Sequence, residues 1–504
     1  MTPYDAGASA GPFDLSATLF DSLVAELGGE TTATATHAQL EDLLTDRSRE
    51  LMRQLLQDHL DLRAAREETG VAARMRRGEH PAGRTRVEYG HHRMLATVFG
   101  PVTVRRTALR APDEPNIYPA DAVLSLPRTR HSHGLRRRAV EEAVRSSYDT
   151  THAVITARCG RVAGKRQLED LVVAAAVDID DFYATATPEP ATGETLLVLS
   201  ADAKGIVMRP DSLREPTRRA AARATPVLRT RLGPGEKSNR KRMATLACVY
   251  DAQPAPRRPH DVITVPGGPR AAGRDRRPGP VATGKWLTGS VTDSPERVIA
   301  AAFDQAQARD PAHARTWVAL IDGAWHQIEV IETEARRRGV TIDILVDLIH
   351  VTEYCWGAAR SFYAPTDPAA EDWVAVAVLG LLAGRVEAVA TSIETRADTE
   401  GLTPDARRGA DDAVRYLRSH AAYLHYERAL AEGWPIATGV IEGACRHIIA
   451  DRFEKGGARW GLAGAEALLT LRALTQNGDL DRYWTFHIAR EHQRVHPDDH
   501  QLAA

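Results

Sequence analysis

Residues 316–347 read TWVALIDGAWHQIEVIETEARRRGVTIDILVD. Two short apolar runs, Thr316–Ile321 and Ile342–Val346, each lead directly into an aspartate, Asp322 and Asp347. Such runs suit strands buried on both faces, as in the interior of a parallel sheet. Between them Gln327–Arg338 has the apolar spacing and basic end of a helix. Strand, helix and strand in this order predict a βαβ unit, and hence an α/β fold.

Upstream the pattern continues. Leu196–Leu199 reads as a strand leading to Asp202, and Met243–Tyr250 as a second one. Residues 253–284 are rich in Pro, Arg and Gly and read as a long loop around a short strand at Val262–Val265. Ser294–Ala308 is predicted helical, with Ser294 at its start. Downstream the signal changes. From Thr352 to Gly433 there is no strand pattern, only helical ones at Trp373–Ala397 and Pro404–Ala431. Helices over Gly439–Phe453 and Leu462–Gln476 follow.

The N-terminal part is mostly helical. Residues 1–36 read as rich in Thr, Ala and Gly and loosely ordered at the start, Leu40–Glu68 as an amphipathic helix, 70–92 as loop, and Met94–Val98 with Val102–Arg106 as a β-hairpin about Gly100-Pro101. Leu135–Ser146 is a helix with three consecutive arginines. Thr150–Arg158 is a second, with Asp149 as its cap and Gly160 as its stop. A third runs from Gly164 to Ala176 and carries Lys165, Arg166 and Gln167 in its first turn. A short helix, a glycine turn and a helix with long polar side chains at its start predict a helix-turn-helix, whose second helix reads a DNA major groove. A plain helical pair with a solvated face fits the same pattern. Pro188–Thr195 reads as a linker.

At 504 residues the chain is long enough for about three domains. The expected division is 1–125, a helical region with the hairpin; 126–188, the helix-turn-helix; 189–365, the first part of an α/β core; 366–435, a helical insertion; and 436–504, the second part of the core. Four cysteines stand far apart with no C-x-x-C pair, which argues against a zinc ribbon or a disulfide framework and for a reducing cytosol. The most apolar stretch, Val374–Ala383, is cut short by Arg385, well below the roughly 20 residues of a membrane span. The expected location is therefore cytoplasmic.

Net charge is −2, but it is unevenly spread. Lys204 to Arg242 holds twelve Lys/Arg against three Asp/Glu, and Gln253 to Lys285 seven against two. Such a belt predicts a surface for a polyanion, with a solvated insertion as the alternative. Within it Lys204, Arg240, Lys241 and Arg242 are candidate phosphate contacts; the P-loop spacing is absent. Arg459 and Trp460 are candidates to clamp a backbone and stack a base, although Trp460 suits core packing equally.

Three carboxylates stand out: Asp202 and Asp322 after apolar strands, and Glu442 early in a helix. Carboxylates held rigidly at strand ends, with one on a helix, give hard oxygen ligands of the kind Mg²⁺ takes, Mn²⁺ substituting. Two such ions can drive an in-line phosphoryl displacement. Singly, either aspartate would also serve as a turn residue. Asp347 and His350, spaced i and i+3, are expected accessory residues, and Asp347 is the alternative to Asp322 as second ligand.

Asp202-Ala-Lys-Gly, Asp322-Gly-Ala, Asp347-x-x-His350, Gly439-Val-Ile-Glu442-Gly-Ala-Cys-Arg-His447 and Lys455-Gly-Gly-Ala-Arg-Trp460-Gly resemble bacterial insertion-sequence DDE transposases of the ISKra group. The likeness covers roughly residues 40–490, with Ala203 where that group usually has glycine. It implies an RNase H-like core interrupted by an all-helical insertion, which would account for the 120 positions between Asp322 and Glu442. It also implies double-stranded DNA partners, namely terminal inverted repeats and target, with a homodimer or higher oligomer as the acting species. An RNase H-like nuclease or resolvase without strand transfer is the alternative.

Overall fold

A computed structural model describes residues 11–80, 83–186, 188, 193–223, 240–264 and 276–497. The chain divides into two compact units, Met1–Phe182 with Leu480–Ala504, and Tyr183–Asp479.

The first unit is mainly helical. Asp14–Leu27 is a helix, while the first ten residues, where loose order is expected, lie outside the described residues. The long helix His37–Arg76 opens on a capping box between Thr36 and Gln39. It runs past the expected stop at Glu68, because Val71 is still buried. The hairpin is longer than its apolar centre: β1 (Arg86–Thr97) pairs antiparallel with β2 (Gly100–Arg110). Much of the stretch 70–92, expected to be loop, is therefore helix and strand. Helices His133–Ala143, Tyr148–Cys159 and Lys165–Ala175 follow as expected, with Gly160 at φ 80° ending the second. The cap of that helix is Ser147, whose side chain accepts from the Thr150 N–H at 3.1 Å; Asp149 lies within the first turn instead.

The C-terminal helix Leu480–Val495 belongs to this unit. Its His487 is fully buried and bonds Asp178 at 2.6 Å through Nδ1. Arg136 reaches both His487 and Glu491, and Arg494 pairs with Asp178. Buried charges stay only where they are paired in this way.

The second unit is a mixed α/β fold: a five-stranded sheet flanked by helices, with a separate all-helical region. The strands are β3 (Leu196–Val207), β4 (Lys241–Ala252), β5 (Ala282–Ser290), β6 (Trp317–Ile321) and β7 (Ile342–Val346), in the order β5-β4-β3-β6-β7. β3, β4 and β5 are antiparallel neighbours, whereas β3, β6 and β7 are parallel. Helices Pro295–Arg309 and Trp325–Arg338 make the crossovers on either side of β6. Their Val298, Ala302, Phe303, Ile328 and Ile331 pack on Leu197, Leu199, Ala201, Val249 and Ala319 of one sheet face. Helix Leu462–Gln476 is held to β5, with Glu466 accepting from Ser290 and the Val291 N–H and Asn477 bonding both backbone groups of Leu287.

Two departures from expectation bear on the site. β3 continues well past Leu199, because β4 pairs with it along its whole length, from Leu196↔Ala252 to Val207↔Lys241. Asp202 thus lies inside a strand. The expected short strand at Val262–Val265 is a helical turn, Pro259–Val262, with Val265 outside the described residues; the strand of that region is β5.

The helical region comprises Leu348–Phe362, Ala369–Leu382, Val386–Thr399, Pro404–Ser419 and Tyr426–Ala431. The single helix expected over Trp373–Ala397 is broken at Gly384, which takes φ 75° with the Glu427 carboxyl where a Cβ would sit. Among the described residues no helix is long and apolar enough to cross a membrane.

Candidate active site

The register of the parallel strands builds the site. β3 and β6 pair from Leu197↔Trp317 to Ser200↔Leu320, and β6 and β7 from Trp317↔Ile342 to Ile321↔Val346. Two residues beyond the last β3–β6 pair, the chains reach Asp202 and Asp322; one beyond the last β6–β7 pair, they reach Asp322 and Asp347. The Asp347 N–H donates to the Ile321 carbonyl at 2.8 Å, extending the ladder by one bond. Asp322 and Asp347 thus stand at the carboxyl ends of β6 and β7, beside Asp202, which lies within β3 just past the point where its parallel pairing with β6 stops; open α/β sheets place their ligands at such strand ends.

Asp322 is partly exposed, and its carboxylate accepts from the Ala324 N–H at 3.0 Å. The turn behind it is tightly built. Gly323 has φ 90°, and a Cβ there would lie 2.3 Å from the Tyr416 hydroxyl. Tyr416 donates to the Asp322 carbonyl at 3.1 Å, and His420 Nε2 bonds the Gly323 carbonyl at 3.0 Å. Burial first, then the charges of Tyr354, Asp322 and Asp347, push the Tyr416 phenol well above its usual range. It therefore stays a neutral donor.

Asp347 is 2% exposed and caps helix Leu348–Phe362, accepting from the Ile349 N–H at 2.8 Å. His350, in the first turn, is partly buried edge-on to Tyr354 and Tyr416.

Glu442 is brought in by helix Gly439–Ala444. The buried Thr438 hydroxyl just before it lies within hydrogen-bond distance of the carboxylates of both Asp347 and Glu442, the latter at 2.9 Å, and its one proton serves either of them in turn. One turn on, the Cys445 thiol meets the Asp202 carboxylate; burial and then that negative charge push the thiol up. Glu442 is thereby bracketed between contacts to Asp347 and to Asp202. Beyond it Cys445–Ala450 widens into a π-turn, a feature that recurs at functional sites. Arg472 donates to the carbonyls of His447 and Ile448 there, and burial pushes its guanidinium down to about 10.

As placed, no three His, Cys, Asp or Glu side chains among the described residues close into a metal-holding group. Each carboxylate instead takes a local donor: Asp202 the Ala203 N–H, Asp322 that of Ala324, Asp347 that of Ile349, and Glu442 the Thr438 hydroxyl. The donor set itself, carboxylate oxygens on rigid strand ends and one helix, has the chemistry of a hard divalent cation site.

No family model matches the chain, and neither does any curated protein.

The remaining candidates fall into groups. Lys204 is partly buried on β3, and Arg240 is exposed at the start of β4. Lys241 faces Glu454 at 3.5 Å. Arg242 is committed to the Val291 carbonyl at 2.7 Å, and burial, then the nearby Arg214, lower its guanidinium. Residues 224–239 of the belt lie outside the described residues. Arg459 is exposed, but Trp460 is 7% exposed, its indole N–H donating to the Phe453 carbonyl at 3.1 Å and its ring under Arg452. In the other unit Lys165 pairs with Asp149 at 2.6 Å and Arg166 is exposed beside Asp170. Gln167 accepts from the Gly164 N–H at 3.0 Å and so belongs to the helix start.

Sequence reasoning assigned no role to Thr438, Tyr416 or Cys445. Cys445 lay inside the motif around Glu442, and Thr438 directly before it. Tyr416 gave no signal, since its contact to Asp322 spans 94 positions.

Proposed function

We propose that this chain is a DDE-type DNA transposase with an RNase H-like core, which cleaves DNA at insertion-sequence ends and joins it to a target. The single observation that carries the reading is the register of β3 and β6, which brings Asp202 within β3 level with Asp322 at the end of β6, with Glu442 held by Thr438 and Cys445 on Asp202. The strand order β5-β4-β3-β6-β7, with the first aspartate on the central strand, suits that core. The helices between Leu348 and Ala431 suit the inserted helical region that the resemblance implies.

In this reading Asp202, Asp322 and Glu442 hold two divalent cations, Mg²⁺ or Mn²⁺. Bound there, the cations would supply charge to the attacking and leaving oxygens of an in-line phosphoryl displacement. The chain's own residues set the geometry. Tyr416 and His420 fix the Asp322–Gly323 turn from its backbone. Asp347 acts through Thr438 as a positioning residue for Glu442. Arg240, Lys204 and Arg459 carry phosphates, and the Lys165 helix reads the terminal repeats.

The test is cleavage of DNA carrying the inverted repeats that flank the gene. Mg²⁺-dependent nicking at the repeat ends, abolished by a chelator, supports the reading. Joining of the cut ends to a second DNA separates a transposase from a nuclease or resolvase. Cutting that persists in the chelator, or none with any divalent cation, removes it.

A further inference from the structure

Beside the carboxylates lies a cleft of about 440 Å³, within the range of ligand sites. Its floor is apolar: Leu348 and Ile349, directly after Asp347, and Ile436 and Ala437, directly before Thr438. Its rim is basic: Arg257, Arg276 and Arg277, from the segment between β4 and β5.

The cleft is built into the fold. The Leu348 N–H donates to the Ile436 carbonyl at 2.9 Å and joins the two floor segments. The rim segment is pinned by the Ala255 N–H on Gly433 and the Arg257 N–H on Leu430, at 3.0 and 2.9 Å. Gly433 has φ 77°, and a Cβ there would lie 2.2 Å from the Ala255 nitrogen, so the approach depends on glycine. Arg257 donates to the Trp434 carbonyl, and Arg276 to the carbonyls of Asp261 and Val262.

The charge is unbalanced. The one carboxylate in the lining, Asp261, is held by Arg258 at 2.8 and 3.1 Å and lies far below the usual carboxylate range for that reason. Among the described residues no carboxylate forms a salt bridge with Arg257, Arg276 or Arg277. The buried Nε of Arg257 has no hydrogen-bond partner among them. Opposite stands Ile349, 55% exposed. Guanidiniums bonded to backbone carbonyls but to no carboxylate among the described residues, over an apolar floor, suit a ligand with an anionic edge and a flat apolar body, as a nucleotide has.

We propose that this cleft holds a nucleotide of a single-stranded DNA segment next to the cleaved bond, its phosphodiester on Arg277 and Arg257 and its base or sugar on Ile349. The proposal rests on the reading of the carboxylates as a DNA-cleaving site. It concerns single strands because a duplex hides the base faces the floor would meet.

The experiment measures binding of a fluorescent oligothymidylate to the full chain across a salt series. Arg277 and Ile349 are both exposed, so their substitution leaves the core alone. Arg277→Gln should weaken binding about tenfold and reduce the salt slope by about 0.7, one single-strand phosphate contact. Ile349→Ala should weaken it severalfold with the slope unchanged. Unlabelled thymidine monophosphate should compete far more weakly than the oligonucleotide; equal competition would make the cleft a free-nucleotide site and overturn the strand assignment. Wild-type binding by both variants would overturn the cleft, while loss of cleavage in Asp202→Asn would leave the active-site reading standing. Weakened binding by Arg277→Gln in a protein that cuts no DNA would keep the cleft and remove the active site.

Discussion

The Tyr416 hydroxyl donates to the backbone carbonyl of Asp322 at 3.1 Å and so ties a helix of the helical region to the end of the central parallel strand pair. The same hydroxyl fills the space over Gly323 where any side chain would begin. The helical region therefore fixes the direction in which Asp322 leaves its strand.

Tyr416→Phe should cost about 1 kcal/mol, the net worth of one hydrogen bond, and should lower DNA cleavage without changing DNA affinity. Gly323→Ala should cost more, about 1–3 kcal/mol from backbone strain alone, since it forces a Cβ onto both the positive φ and the phenol oxygen. Urea midpoints of the two variants would rank them; a Gly323→Ala variant as stable as wild type would contradict the described turn.

Much of the scaffold was legible. β6 and β7 match their apolar runs almost to the residue; β6 is buried at every position and so has no polar residue to blur its ends, and β7 ends on the buried run Ile344–Val346. The apolar run of β3 stops short of the strand's end because Asp202, Ala203 and Lys204 break it; antiparallel pairing with β4 carries the strand on. β5 left no strand pattern because ATGKWLTGS is an edge strand with a glycine at φ 56° and a register shift opposite it. The bond from Thr438 to Asp347 joins positions 91 apart, and no local pattern encodes it. The carboxylates were legible because their strands were; what holds Glu442 among them was not.

In the first unit, Lys165 and Arg166 project from the helix start, whereas Gln167 closes it. Lys165→Ala with Arg166→Ala should reduce the preference for end DNA over random DNA and leave stability unchanged within about 0.5 kcal/mol. Gln167→Ala should instead cost about 1 kcal/mol of stability through the lost cap. Competition binding and thermal unfolding on the two variants separate these effects. Equal loss on both DNAs would reduce Lys165 and Arg166 to phosphate contacts.

Arg240 and Arg242 stand two residues apart in different circumstances. Arg240 is exposed, while Arg242 is bonded to the Val291 carbonyl. Arg240→Ala should weaken specific and random DNA alike and flatten the salt slope by about one. Arg242→Ala should lower the unfolding midpoint first. An unchanged salt slope in Arg240→Ala would take that residue off the DNA.

Acid should destabilise the first unit. Burial pushes the His487 imidazole below its ordinary 6.5, despite Asp178, and does the same to His131 and His133. The unfolded chain then binds protons that the folded one refuses, so this stability is present above about pH 6.5 and declines as pH falls below it. Asp178 is also buried, but Arg494 and His487 outweigh that and lower it, so its share is lost only at more acid pH. Denaturant midpoints from pH 7 to 5 should fall, and less steeply in His487→Gln. A flat wild-type profile would contradict the burial of this histidine.

The most direct measurement is Mg²⁺-dependent cleavage of end DNA by Asp202→Asn, Asp322→Asn, Glu442→Gln and Asp347→Asn, with binding measured in parallel. The first three should fall to background while DNA affinity stays within about twofold, because each removes a ligand charge and no contact to the end sequence. Asp347→Asn should be impaired but not dead, since the carboxamide oxygen can still accept the Ile349 N–H while its NH2 donates to the Thr438 hydroxyl. Wild-type cutting by any of the first three would remove that residue from the site. A dead Asp347→Asn beside an active Asp322→Asn would move the second ligand to Asp347 and contradict the assignment to Asp322.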